Sequence, residues 1–206
     1  MNGPEIRPAG ERAALVELED NAAVHALAAT LEPIRGSGLE EIVPGDRTLL
    51  LVWAEAAPPR AAIEELVAGA GAGAGPGQPA GETVELAVAY DGPDLEEVAA
   101  ACSVSIDEFV ERHSGAGYRV AFIGFAPGFA YLTGGDPELA PPRRAEPRTR
   151  VPAGSLAIAG PYSAVYPRES PGGWNLVGSC DERLFDPSRE RPALLVAGAA
   201  VRLVPA

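Results

Sequence analysis

Residues 69–81 read GAGAGAGPGQPAG. Glycine, alanine and proline make nearly all of this stretch, so it has no large apolar side chains with which to bury a core. It therefore behaves as a linker or a long surface loop. It splits the 206-residue chain into residues 1–68 and 83–206, with 69–82 between them. Each side must find its own core, and each has about the length of one small domain.

On the first side, Ala13 to Leu18 alternates and predicts a strand. Asp20 can cap a helix running from Asn21 to about Leu31, with Val24, Leu27 and Leu31 on one face. Leu39 to Val43 and Thr48 to Trp53 predict two strands joined by the turn Pro44-Gly45-Asp46. Pro58 and Pro59 open a second helix through Val67, with Ile63, Leu66 and Val67 inward. A further strand, Val84 to Tyr90, either completes a ferredoxin-like βαββαβ unit or begins the second domain.

On the second side, Asp91-Gly92-Pro93-Asp94 predicts a turn that caps a short helix, Leu95 to Ala101. Ser105 caps another, Ile106 to His113, with Glu108 completing a capping box. From Tyr118 the pattern changes. Short apolar runs (119–125, 156–159, 194–197 and 201–204) sit between Gly/Pro turns. Twelve of the 21 prolines follow residue 120 and forbid long helices there. The expectation is a closed or strongly curved β structure.

Composition excludes several functions. The formal charge is −13, with 29 acidic residues against 16 basic ones, so a phosphate backbone would be repelled and no nucleic-acid partner is expected. No apolar run reaches the roughly 18 residues that a membrane span needs. No signal peptide is visible, so a cytoplasmic protein with Cys102 and Cys180 as reduced thiols is expected. All sixteen basic residues are arginine. Without lysine there is no Walker-type phosphate lysine, no Schiff base and no attachment point for biotin. Two histidines, His25 and His113, cannot make a three-His zinc site, and no metal centre is expected.

Four arginines, Arg143, Arg144, Arg148 and Arg150, crowd into eight residues of this acidic chain. Their forked donors match carboxylate or phosphate. The competing reading is a solvated loop paired with acids such as Glu146. Flanking prolines stiffen the loop, which lowers the entropy lost on binding an anion. Ser170-Pro171-Gly172-Gly173-Trp174 offers backbone donors and an apolar wall, or else a tight turn beside a core tryptophan. Residues 125–132 form an aromatic-rich strand broken by Pro-Gly. His113 ends a helix, where the macrodipole favours its protonated form.

Taken in order, GFAPGFAYL (124–132), PRR (142–144), PR (147–148), VPAGSLAIAG (151–160), VYP (165–167), SPGGWNLVG (170–178) and LFDP (184–187) resemble the 5-oxoprolinase B-subunit family, also called allophanate hydrolase subunit 1, carboxyltransferase subdomain or Kip-type sensor-kinase inhibitor. PAGERAALVEL (8–18) and YDGPDL (90–95) extend the likeness over nearly the whole chain. The resemblance implies an α+β protein: a small ferredoxin-like α/β domain followed by a cyclophilin-like β-barrel. It implies a complex that opens 5-oxo-L-proline to L-glutamate with ATP, held by the complex or by this chain, and with Mg²⁺ as an optional companion. Its partners would be the carboxyltransferase-like C-subunit and the A-subunit of 5-oxoprolinase. The other functions carried under the same family are inhibition of a sensor histidine kinase by protein binding and the carboxyltransferase part of a urea or allophanate system. Carried onto this sequence, the resemblance makes His113, Ser155 and Ser170 catalytic candidates. Phe129, Tyr131, Arg143, Arg144, Arg148, Arg150, Tyr166, Gly172, Gly173 and Trp174 become substrate-binding candidates. Tyr162, Ser163 and Ala164 stand where the family usually reads glutamine, threonine and glycine. Ser179 and Cys180 stand where it usually has arginine and threonine.

Overall fold

The computed structural model describes residues 4–71 and 83–206. The chain divides into two compact units, Met1–Pro79 and Ala80–Ala206. In the first, β1 (Glu5–Pro8), β2 (Ala13–Glu17), β3 (Leu39–Pro44) and β4 (Thr48–Trp53) form an antiparallel sheet ordered β1-β2-β4-β3. Helices α1 (Asn21–Leu31) and α2 (Arg60–Gly71) complete the unit. β4 alternates, sending Leu49, Leu51 and Trp53 inward to meet Val24, Leu27 and Leu31 of α1 and Ile63 and Val67 of α2. Asp20 caps α1, its carboxylate accepting from the Ala23 N–H at 2.8 Å.

Two expectations need correction here. The topology is ββαββα, not ferredoxin-like: the fourth strand is β1, before β2, and the strand at Val84 pairs elsewhere. β1 carries little sequence signal because it ends in Pro8 and buries only Ile6. Helix α2 also runs to Gly71 and takes in the start of the Gly/Ala segment. The rest of that segment, 72–82, lies outside the described residues.

The second unit is built on a seven-stranded sheet. Its strands are β5 (Val84–Val88), β6 (Tyr118–Ile123), β7 (Ala130–Thr133), β9 (Ser155–Ala159), β10 (Tyr162–Val165), β12 (Asn175–Ser179) and β13 (Ala200–Pro205). They run β12-β9-β10-β7-β6-β13-β5, with β13 parallel to β5 and the other pairs antiparallel. Just past β5, Ala89 exchanges backbone hydrogen bonds with Ser179 at 2.9 and 2.8 Å. That bridge joins the two edge strands and brings the sheet close to a barrel. It requires a glycine at 178, since a Cβ there would overlap the Ala89 carbonyl.

Helices α3 (Leu95–Ala101) and α4 (Ile106–Gly115) pack on this sheet, and a two-stranded ribbon of β8 (Arg148–Val151) and β11 (Ser170–Gly172) lies beside it. The Ser105 hydroxyl accepts from the Glu108 N–H, but the Glu108 carboxylate pairs with Arg112. Residues 194–197 form no strand: Leu195 is buried while Val196 is exposed.

The barrel wall is apolar on both faces, so β9 is buried at every position. Leu156 and Ile158 join a core with Leu132, Val165, Val177 and the helices. Ala157 and Ala159 join a second cluster with Phe129, Tyr166 and Trp174. Strand alternation separates the two sets.

Candidate functional site

The second cluster is where most of the sequence candidates meet. Phe129, Tyr166 and Trp174 are buried together, with Tyr131 and Tyr162 half-buried against them. Phe129 meets Tyr166 edge-on at 5.2 Å and Trp174 at 5.7 Å. Such contacts hold ring planes in fixed directions. Gly172 is needed beside them because a Cβ would strike the Tyr166 hydroxyl. Phe125 meets Phe129 edge-on at 5.1 Å, the residue 59% exposed and its backbone at φ 62°. A non-glycine residue held there is strained by about 1 to 2 kcal/mol. Burial pushes the Tyr166 hydroxyl pKa up, opposed in part by Arg143, Arg148 and a hydrogen bond from the Trp174 backbone. It stays a neutral phenol.

The arginine loop reaches this cluster. Arg143 places its guanidinium 5.9 Å from the Trp174 ring centroid, a cation–π contact. The Arg144 N–H donates to the Gly173 carbonyl at 2.8 Å, and Arg148 sits opposite Gly172 in the ribbon. Asn175 fastens the loop from behind, donating to the Pro142 carbonyl at 2.9 Å. Between the loop and α3 runs a groove of about 370 Å³ lined by Glu97, Val98, Ala101, residues 141–146 and Asn175.

Arg144 and Arg148 do not point freely outward as a ligand-facing pair. Both donate to one oxygen of Asp94, at 2.9 and 2.6 Å, and the other oxygen accepts the Leu176 N–H at 2.7 Å. Asp94 is only 3% exposed. The sequence placed it as a helix cap, yet its side chain makes no cap hydrogen bond. Its partners lie 50 to 82 residues away, a separation that no local turn pattern reports.

Three candidates lie elsewhere or do structural work. Arg150 pairs with Glu169 at 2.6 Å and is largely in solvent. Ser155 is buried, its hydroxyl donating to the Pro152 carbonyl at 2.9 Å. Ser170 opposes Val151 in the ribbon, near the arginines but with no basic partner for its hydroxyl among the described contacts.

His113 is the clearest correction. It is buried on the other face of the barrel wall, stacked on Phe109. Its Nδ1 lies 2.8 Å from the Tyr90 hydroxyl and its Nε2 2.8 Å from the Ser163 hydroxyl. Burial holds both Tyr90 and Tyr118 far above the ordinary tyrosine pKa. Both tyrosines are therefore neutral phenols, and the donor and acceptor roles at the two ring nitrogens follow the imidazole tautomer. Ser163 in turn bonds Tyr118, whose hydroxyl donates to the His113 carbonyl at 2.8 Å. Burial pulls the imidazole pKa down to about 4. Desolvation outweighs the helix terminus, and the ring is a neutral structural link rather than a protonated acid. A smaller cavity of about 200 Å³ adjoins it, with Asp136 and Tyr162 in its lining.

The residues that depart from the family pattern have places in this arrangement. Tyr162 joins the aromatic cluster through Phe122 and Tyr131, Ser163 completes the His113 chain, and Ser179 makes the closing bridge. Cys102 and Cys180 are both free thiols whose pKa is raised by burial, which keeps them unreactive at neutral pH. Among the described residues no group of three or more His, Cys, Asp or Glu side chains could hold a metal ion, and no helix is long and apolar enough to cross a membrane.

Residues 4–195 match the family described as carboxyltransferase domain, subdomain C and D. A curated relative from Escherichia coli O157:H7, the B-subunit of 5-oxoprolinase, is 50% identical over 131 residues, or 62% of this chain and 60% of that protein. The protein of the same name from Bacillus subtilis (strain 168) is 45% identical over 124 residues, or 59% of this chain and 52% of that one. The matches thus span little more than half the length of these relatives. Among solved structures, that of TTHA0988 superposes with a TM-score of 0.81 at 36% identity, covering 95% of this chain and 40% of that chain.

Proposed function

The chain belongs to the carboxyltransferase-domain family, subdomains C and D, and from that premise we propose that it is one subunit of a 5-oxoprolinase complex, in which its barrel binds the lactam substrate. The observation that carries this reading is Arg143, which lines the groove beside α3 while its guanidinium is held 5.9 Å from the buried Trp174 ring. 5-Oxo-L-proline is a flat five-membered amide bearing one carboxylate. The apolar walls of Val98, Ala101, Pro141 and Pro142 suit the ring, and forked arginine donors suit the carboxylate. The likeness to proteins named as the 5-oxoprolinase B-subunit supports the same substrate.

A nucleoside triphosphate fits this chain poorly. There is no lysine, Arg144 and Arg148 are already engaged by Asp94, and Glu97 and Glu146 stand in the groove lining. One carboxylate is tolerated there, whereas three or four phosphate charges would be repelled. The nucleotide and its Mg²⁺ therefore belong to another protein of the complex, with a carboxyltransferase-like C-subunit and an A-subunit as the candidates. That this chain aligns with only 40% of the TTHA0988 chain is consistent with a barrel that works beside further protein. In this division of labour the chain binds and orients the lactam and excludes water from its face.

The test is 5-oxo-L-proline-dependent ATP hydrolysis and glutamate release, measured for the chain alone and after mixing with the A- and C-subunits. The expected result is turnover by the mixture and none by the chain. Robust turnover by the single chain, or none by the assembled complex, would overturn the proposal.

A further inference from the structure

Asp94 lies outside the sequence candidates, yet it holds two of them. Its carboxylate is buried and carries one negative charge against two guanidinium groups, both on Oδ1. Neither arginine makes the two-pronged contact that a carboxylate allows. Arg144 Nε and Arg148 Nη1 are shielded from solvent and donate to no acceptor among the described residues. Unpaired buried donors are uncommon and costly. The exposed Glu97 approaches Arg144 only at 3.7 Å. The trio is thus one anion short at short range, in a protein that is strongly acidic overall.

We infer that Asp94 is a positioning residue: it holds Arg144 and Arg148 in one fixed arrangement whose remaining positive charge takes a single small carboxylate at the groove. This deepens the reading above and rests on it for the identity of the ligand. The trio is aimed by structure on three sides. The Leu176 N–H fixes the free oxygen of Asp94, the Arg144 backbone is tied to Gly173, and Asn175 holds Pro142. A ligand carboxylate in the groove then meets Arg144, which lines it and whose freedom is already lost, so the cost of ordering that side chain is lowered. Selectivity follows from charge: one negative charge balances the trio, whereas a second would be placed beside Asp94 and Glu97.

Positioning and simple charge balance give opposite results when Asp94 is neutralised. Asp94→Asn keeps the shape and the acceptor for Leu176 but releases the arginines. If Asp94 were only a counter-charge, removing it would leave two positive charges and tighten anion binding. If it positions the arginines, binding weakens.

The experiment is calorimetric titration of the full chain with 5-oxo-L-proline, with acetate and with 2-pyrrolidinone, which lacks the carboxylate. It is run on wild type, Asp94→Asn and Arg144→Gln, with thermal melting of each. Wild type is expected to bind 5-oxo-L-proline and, more weakly, acetate, and to ignore 2-pyrrolidinone. Asp94→Asn is expected to lose about tenfold or more in affinity, and in the assembled complex to raise KM more than it lowers kcat. Arg144→Gln leaves a balanced Asp94–Arg148 pair, so it is expected to lose carboxylate binding without a lower melting temperature. Equal or tighter binding by folded Asp94→Asn would overturn the inference, as would wild type binding 2-pyrrolidinone as well as 5-oxo-L-proline. Carboxylate binding with this variant pattern, in a complex that never opens the lactam, would refute the proposed activity and leave the inference standing.

Discussion

The two units of this chain bury different chemistry. The core of the first is apolar throughout, from Ile6 to Val67. Its ion pairs, such as Arg7 with Glu5 and Arg60 with Glu64, lie in solvent, where they add little stability. Among the described residues, the five buried polar or charged ones, Asp94, His113, Ser155, Ser163 and Asn175, all belong to the second unit. Polar burial costs free energy unless every group is paired. The first unit is therefore stabilised chiefly by packing. The second carries two buried polar networks, one closed around His113 and one left open at the arginines. The closed network ties helix α4 to the barrel, and the open one is the region to which the proposed ligand is assigned.

The largest effect that can break this contrast is a cavity in the first core. Leu49 is fully buried, so Leu49→Ala is expected to destabilise that unit by about 3 to 4 kcal/mol. Hydrogen exchange should show faster opening in residues 4–71 and little change in the barrel. Equal loss in both units would show that they do not unfold as separate cores.

The next effect is pH. In the unfolded chain His113 titrates near 6.5, and in the barrel near 4. The unfolded state thus binds a proton that the folded state refuses. Stability is complete above pH 6.5 and falls as the pH drops toward 4, by about 3 kcal/mol in all. Urea denaturation between about pH 7.5 and 4 should show this loss in the second unit, and His113→Asn should flatten it. An unchanged slope in that variant would remove His113 as the cause.

The smallest effect returns to the first unit. Asp20→Ala removes the cap on α1 and should cost about 1 kcal/mol, read as a lower melting temperature with ligand binding intact. A cost near zero would mean that tertiary packing alone holds the helix.

The same contrast governs what the sequence revealed. The first unit was legible because its signals are local. Asp20 precedes a helix whose apolar residues recur on one face, and β4 alternates cleanly. β1 was missed because three of its four residues are exposed or proline. In the barrel, α3 and α4 were legible from their flanking residues and a closed or strongly curved sheet from the short runs between Gly/Pro turns, but the strand pairing that closes it was not. The β5–β13 pairing and the Ala89–Ser179 bridge join segments about 90 or more residues apart. The site divides the same way. The aromatic and arginine blocks stood out in the sequence itself, and their assignment as substrate-binding candidates came from resemblance to a family. Asp94 was hidden because Asp-Gly-Pro-Asp reads locally as a turn and cap, while its partners are distant. His113 was misread because helix position was visible and burial was not.

The central claim is that the arginine-over-tryptophan face of the barrel carries the function. Arg143 isolates it, since this side chain is exposed and forms no salt bridge among the described residues, so its loss should spare the fold. The decisive measurement is ATP-coupled opening of 5-oxo-L-proline by the assembled complex, comparing Arg143→Ala with Arg150→Ala, whose arginine sits in solvent against Glu169. Arg143→Ala is expected to lose most of the turnover at an unchanged melting temperature, and Arg150→Ala to stay near wild type. Wild-type turnover by Arg143→Ala would contradict the account.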